Sequence, residues 1–257
     1  MQLVRCWGLA ENGEAIEVVV ASSLVGELDN RWPPLGLSRH YEPIAPTVAR
    51  VGLSNDWVIV PDIEESGDSP PPVAWDLLES TLTLFAVNRL ERLVPVHSAA
   101  IVYGGKVLVV PAVSGGGKST LSIAAAEAGA TLLSDEYTLI EPTTGLVRGW
   151  NRPVRRLRGD GISERLNLAR SCDPLPVGLV AAVSYDPAIG QTWEPITPGE
   201  ATVELLSHCV CARTRPDDSF DAVLAITRNA SAVRGRRPDA PEAIAALLDL
   251  MSGAPRE

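Results

Sequence analysis

The 257-residue sequence predicts an α/β fold, on three observations. An unbroken apolar run, Val107 to Val110, passes through a glycine-rich turn into an alanine-rich segment of helical character. A Gly104-Gly105 pair joins that run to an earlier one, His97 to Tyr103. Downstream, short apolar runs suited to strands alternate with longer amphipathic ones suited to helices.

Residues 1–65 read as a β-rich N-terminal subdomain. Ala15 to Val20 and Asp56 to Val60 are expected strands, bounded by Asn12-Gly13 and Pro61-Asp62. Arg31 to Gly36, with two prolines, reads as a loop. No motif here carries chemistry; packing is the simple role, and partner recognition or dimerisation the other. Residues 66–72 end in three prolines and read as a linker. Residues 73–257 then form the second domain, opening with a helix over 73–92 in which Leu77, Leu78, Leu82, Phe85 and Leu90 recur at roughly three-four spacing.

Next comes the Gly-Gly hairpin. If that turn sets the register, paired positions share one sum, and His97 falls opposite Ala112 with Cβ atoms about 5 Å apart. His97 then stands at the mouth of the glycine turn; a hydrogen-bonded core histidine is the alternative. The turn comprises Ala112, Val113, Ser114, Gly115, Gly116, Gly117, Lys118, Ser119 and Thr120. Strand, glycine turn, Gly-Lys-Ser and helix is the order of a phosphate-binding loop. Glycines allow backbone N–H groups to turn inward around phosphate oxygens. Lys118 brings a positive charge to the β and γ phosphates, and the Ser119 hydroxyl is a ligand for Mg²⁺. The dipole of the following helix favours the same anion. The pattern therefore points to ATP and Mg²⁺. Its one departure is Ala112, where the full pattern has glycine; a positive φ there would be strained.

The helix expected over Thr120 to Ala128 stops at Gly129. Thr131 to Ser134 reads as a buried strand that delivers Asp135 and Glu136 at its carboxyl end, where ligands bind in open α/β sheets. Adjacent acids on an extended chain face opposite sides. One is therefore expected to hold metal and the other to accept a hydroxyl proton, unless the pair is simply an acidic turn. Tyr137 to Glu141 and Leu146 to Trp150 form a second hairpin. The segment Asn151 to Gly161 then carries four arginines, Arg155 and Arg158 among them. Phosphate clamping, docking of an acidic peptide and a solvated charge run all fit that cluster. Further on, Leu179 to Tyr185 and Ala222 to Ile226 read as strands, and Pro198 to His208 and Pro241 to Met251 as helices.

The chain as a whole narrows the function. Net charge is −10, which argues against nucleic acid as a partner. No apolar run approaches the ~20 residues of a membrane span, and the N-terminus lacks a secretory layout, so no membrane partner and a cytoplasmic location are expected. The four cysteines, Cys6, Cys172, Cys209 and Cys211, are too few and scattered for a disulfide framework. Cys209 and Cys211 would diverge by about 200° on a helix, and read as buried apolar positions.

Taken together, His97-Ser98-Ala99-Ala100, the Ala112 to Thr120 turn and Leu132-Leu133-Ser134-Asp135-Glu136 resemble the HPr kinase/phosphorylase family. The chain is most similar to the short HPr-kinase-related proteins of peptide-modification gene clusters, lasso-peptide kinases among them. The similarity is loose over residues 73–250 and good over 95–160. It implies a P-loop core of the HPr kinase and phosphoenolpyruvate carboxykinase type with a mixed sheet. It also implies ATP-dependent phosphorylation of a serine hydroxyl on a peptide or protein. The family's catalytic set falls on His97, Lys118, Asp135 and Glu136, with Glu136 as proton acceptor. Ser119 and Asp135 fall on the metal positions, and Arg155 or Arg158 would assist the transferring group. The HPr branch carries a metal-binding glutamate after the acid pair, whereas Arg155 to Gly159 has no acid before Asp160. The second metal contact and the reverse, phosphorolytic activity are therefore not implied for this chain. A small-molecule kinase acting on free serine or a similar hydroxyl, and a non-catalytic nucleotide-binding regulatory module, are the alternatives. A homo-oligomer is compatible with all three.

Overall fold

A computed structural model describes residues 3–53, 58–59, 71–113, 115–157, 163–168, 171, 173–186, 188, 190–237 and 239–253. The expected linker at 66–72 falls almost entirely outside these, as do Ser114, Arg158 and Cys172. The protein is α/β, and the chain divides into two compact units, Met1–Glu91 and Arg92–Glu257.

In the first unit, β1 (Leu3–Ala10) and β2 (Ala15–Ala21) form a hairpin across the Asn12-Gly13 turn, with Gly13 at φ 83°. The unit continues through α1 (Val25–Arg31), β3 (Leu37–His40), β4 (Thr47–Leu53) and β5 (Val58–Ile59). The sheet order is β3-β1-β2-β4-β5, with β2 and β4 parallel. Every residue of the central strand β2 is buried, including Glu17, whose carboxylate is held by Arg5 at 3.3 Å and Arg50 at 2.5 Å from the flanking strands. The helix α2 (Pro71–Val87) belongs to this unit, and not to the second as its position after the prolines suggested. It packs along β4, burying Trp75, Leu78, Leu82 and Phe85, while Leu77 is exposed.

The second unit is built on an eight-stranded mixed sheet. Its strands are β6 (Val94–Tyr103), β7 (Lys106–Pro111), β8 (Thr131–Ser134), β9 (Tyr137–Ile140), β10 (Val147–Gly149), β13 (Val177–Tyr185), β14 (Thr192–Pro195) and β15 (Ser231–Arg237). A separate pair, β11 (Val154–Leu157) and β12 (Ser163–Leu166), stands apart from the sheet. The order is β10-β9-β6-β7-β13-β15-β14, with β8 also on β6; β7, β13 and β15 run parallel. The β6–β7 register follows the constant sum expected from the Gly-Gly turn, from Tyr103 opposite Lys106 to Ser98 opposite Pro111. Both turn glycines have positive φ, 57° and 75°, as a tight two-residue hairpin requires.

Alternation along β6 and β7 explains why both read as unbroken apolar runs, since each face of the sheet is covered. Ala99, Ile101, Leu108 and Val110 pack with α3 (Lys118–Glu127) and α6 (Ala240–Ser252). Ala100, Val107 and Val109 pack on the other face with α4 (Pro198–Ser207) and α5 (Pro216–Thr227). The segment Ala222 to Ile226, expected to be a strand, lies inside α5. Pro216 at its first turn, Asp217 and Asp218 beside it, and the buried face Ser219, Ala222, Val223 and Ile226 are helical signals that outweigh the short apolar run. The strand at that place in the sheet is β15, with alternating burial.

Candidate active site

Strand direction brings the chemistry to one end of the sheet. The carboxyl ends of β7, β8, β13 and β15 point the same way, because β6 is antiparallel to both β7 and β8. The glycine turn, the acid pair, Tyr185 and Arg237 therefore share that end, and His97, early in the antiparallel β6, joins them.

The turn leaves β7 after Pro111. Gly115 and Gly117 have φ of 79° and 82°, and Gly117 is the left-handed residue before α3, which has no side-chain cap. The first amides of α3 thus follow a glycine that supplies no capping side chain, which suits an external anion. Gly116 serves a different purpose. A Cβ there would lie 3.1 Å from the Ala112 Cβ and from the Val113 carbonyl oxygen. The methyl that Ala112 adds to the pattern therefore occupies room that Gly116 leaves. Val113 and Thr120 are exposed.

Lys118, 7% exposed, folds back so that its ammonium donates to the carbonyl oxygens of Ala112 at 2.8 Å and Val113 at 2.9 Å. Two of its three donors close the turn, and among the described residues the third meets no acceptor. Burial lowers the Lys118 pKa to about 8, against the opposing pull of Glu136 and Asp135. The Ser119 hydroxyl donates to Asp135 at 3.1 Å, and Asp135 is buried.

The two acids are set by the turn between β8 and β9. The buried Ser134 hydroxyl accepts from the backbone N–H groups of Glu136 at 3.3 Å and Tyr137 at 3.2 Å, and the Ser98 N–H donates to the Glu136 carbonyl at 3.1 Å. The carboxylates take different partners, although both residues lie in the turn and not on an extended strand. Asp135 faces Ser119, and Glu136 pairs with the buried Arg152 at 3.0 Å.

His97 is fixed through its backbone. Its N–H donates to the His208 carbonyl at 2.9 Å, and its carbonyl accepts from Ala112 at 3.4 Å. The imidazole lies beside the Tyr137 ring, centroids 5.6 Å apart. Burial, then the charges of Lys118 and His208, lower its pKa to about 4. Arg152 holds the Glu136 carboxylate, and His97, neutral at that pKa, lies near the Lys118 ammonium.

Of the arginine cluster, Arg155 is half-buried on β11 and its charge reaches Tyr137, whereas Arg156 turns outward to Glu164. Two arginines that the sequence did not single out are buried at the site, one of them from this same cluster. One is Arg152. The other is Arg237, 3% exposed at the end of β15, whose Nη2 lies 3.5 Å from the Gly117 carbonyl and whose guanidinium sits over Tyr185. Its Nε has no hydrogen-bond partner among the described residues. The period-two pattern Val233, Gly235, Arg237 could have placed it on a buried strand face.

Among the described residues no group of three or more His, Cys, Asp or Glu side chains could hold a metal ion alone. Ser119 and Asp135 supply two oxygens, which is the small protein contribution Mg²⁺ takes when phosphate oxygens and water complete its shell. No described helix is long and apolar enough to cross a membrane. No protein-family model matches the chain, and a search of curated proteins finds no match either.

Proposed function

We propose that this protein is a P-loop serine kinase of the HPr-kinase-like type, transferring the γ-phosphoryl group of ATP to a serine hydroxyl on a peptide or protein. The observation that supports this best is the convergence of Lys118, the Ser119–Asp135 contact and the Arg152-held Glu136 around one glycine turn. ATP would supply the phosphoryl group, and Ser119 and Asp135 would hold Mg²⁺, which would offset the phosphate charge. The turn amides and Lys118 bind the phosphate tail and stabilise charge on the transferring group. Glu136, its side chain 27% exposed, takes the proton from the incoming hydroxyl, while Arg152 fixes its orientation. Arg155 and Arg237 add positive charge at the rim and behind the turn.

The test is mass spectrometry after mixing the protein, ATP–Mg²⁺ and peptides encoded beside its gene, with free serine as a parallel substrate. A phosphopeptide supports the reading, and phosphoserine alone would make the protein a small-molecule kinase. ATP binding without any phosphorylated product would make it a regulatory module. Lys118→Ala is expected to lower transfer at least ~100-fold, the scale of one preorganised electrostatic contact.

A further inference from the structure

Cys209 and Cys211 do not lie on a helix. α4 ends at Ser207 with His208 as its cap, and the next residues form turns, so the two side chains converge where helical spacing would have spread them. Their sulfurs are 3.9 Å apart, and both thiols are free. Cys211 is buried and tightly held: Arg215 Nη2 approaches its sulfur at 3.3 Å, the Ser219 hydroxyl at 3.4 Å, and its carbonyl accepts from Arg215 at 2.8 Å. Cys209 is half-buried, and it bridges to Val96 as an added antiparallel pair beside β6. Its neighbours hold the same strand, through His97 N–H to His208 and Val210 N–H to Pro95, both at 2.9 Å.

We propose that Cys209 and Cys211 are a redox-active dithiol whose closure to a disulfide displaces the backbone segment that holds His97. Cα atoms two residues apart in a turn lie roughly 5.5 Å from one another, near the commonest separation for a disulfide. Hydrogen bonding from the Cys209 thiol, then from the Ser219 hydroxyl and the Arg215 guanidinium, stabilises the Cys211 thiolate and lowers its pKa against the opposing effect of burial. The oxidant is a hydroperoxide. The Cys211 thiolate attacks the peroxide O–O bond, taking one oxygen as a sulfenic acid and expelling hydroxide or alkoxide. Cys209 sulfur then attacks that sulfenic sulfur, its proton leaving with the displaced hydroxide as water. In sum, two thiols lose two electrons and two protons, and the hydroperoxide becomes water plus water or an alcohol. Sulfur–sulfur separation must fall from 3.9 Å to about 2.05 Å. Because Cys211 is anchored by Arg215, Ser219 and burial, Cys209 makes most of that movement. Pro95 and His97 are hydrogen-bonded to the moving segment. That this would alter a kinase site rests on the function proposed above; the thiol chemistry and the strand movement do not.

The test therefore reads thiols and amides, not phosphoryl transfer. The reduced full-length protein is treated with hydrogen peroxide, alkylated under denaturing conditions and digested. The peptide bearing both cysteines is expected two hydrogens lighter and closed to alkylation, restored by dithiothreitol, with Cys6 still alkylated as the internal standard. Amide hydrogen exchange over residues 96–98 and 208–210 is expected to quicken at least ~10-fold in the oxidised form. Cys209→Ser should stop at an alkylation-resistant Cys211 without the change in exchange; if that variant fails to fold, the wild-type comparison with and without reductant decides alone. Two cysteines still open to alkylation after the peroxide has oxidised added glutathione would overturn the proposal. So would a disulfide that leaves exchange unchanged.

Discussion

Gly117→Ala probes the junction between the glycine turn and the helix, and the structure sets the size of the effect. Gly117 has φ 82°, and an L-residue forced into the left-handed region costs about 1–2 kcal/mol. The added Cβ would also lie 2.3 Å from Arg237 Nη2. That guanidinium cannot remain over Tyr185 and beside the Gly117 carbonyl, and losing those contacts costs about 1–2 kcal/mol more. The sum, about 2–4 kcal/mol, lowers Tm by roughly 4–16 °C for a unit of this size. Thermal unfolding followed by near-ultraviolet circular dichroism measures it. Repeating the substitution in an Arg237→Ala background separates the two parts: the cost should fall to the backbone term alone, leaving a coupling of about 1–2 kcal/mol. Equal cost in both backgrounds would refute the contact between residues 117 and 237. A loss under about 1 kcal/mol in the wild-type background would refute the left-handed turn as well.

Three further outcomes follow from the site. Bound phosphate favours the charged form of Lys118, whose pKa in the free protein is about 8; ATP binding near pH 8.5 should take up protons, and affinity should fall by up to tenfold per pH unit above about 8. Calorimetry in buffers of different ionisation enthalpy reads this, and proton release would contradict it. Glu136→Gln should slow phosphoryl transfer about 10²–10⁴-fold while the Kd for ATP changes little, and equal losses in both would remove Glu136 from the proton-transfer role. With a pKa of about 4, His97 should stay neutral between pH 5 and 8, so its imidazole NMR signals should show no inflection there; one near 6.5 would count against its burial beside Lys118.

The legible parts of the sequence were those in which local geometry leaves one solution. Gly104 and Gly105 permit the tight turn, and that turn alone sets every pair from Ser98–Pro111 to Tyr103–Lys106. Strand, glycine turn and helix likewise placed Lys118 and Ser119, and a buried strand ending in two acids placed Asp135 and Glu136. What was not legible depended on packing at long range. A five-residue apolar run such as Ala222 to Ile226 suits a buried strand and one face of a helix equally. The start signals of Pro216, Asp217 and Asp218 had to be weighed to tell them apart. Arg-Gly-Arg-Arg at the end of β15 looks like a solvated run, yet Arg234 and Arg236 face outward while Arg237 turns in. Charge by itself does not report burial. Cys211 is buried as expected, but the divergence expected of Cys209 and Cys211 failed for a related reason, because the spacing argument supposed a helix that had already ended at Ser207.

The long strand β6 changes neighbour midway along one edge, pairing with β9 over Val94 to His97 and with β8 over Ala100 to Val102. Asp135 and Glu136 are the whole of the hand-over between those partners. An insertion or deletion at that point would displace both carboxylates and shift all of β9 against its template. Natural length variation should therefore collect at the Pro142–Gly145 tip, leaving this two-residue step unchanged in size even where its side chains vary.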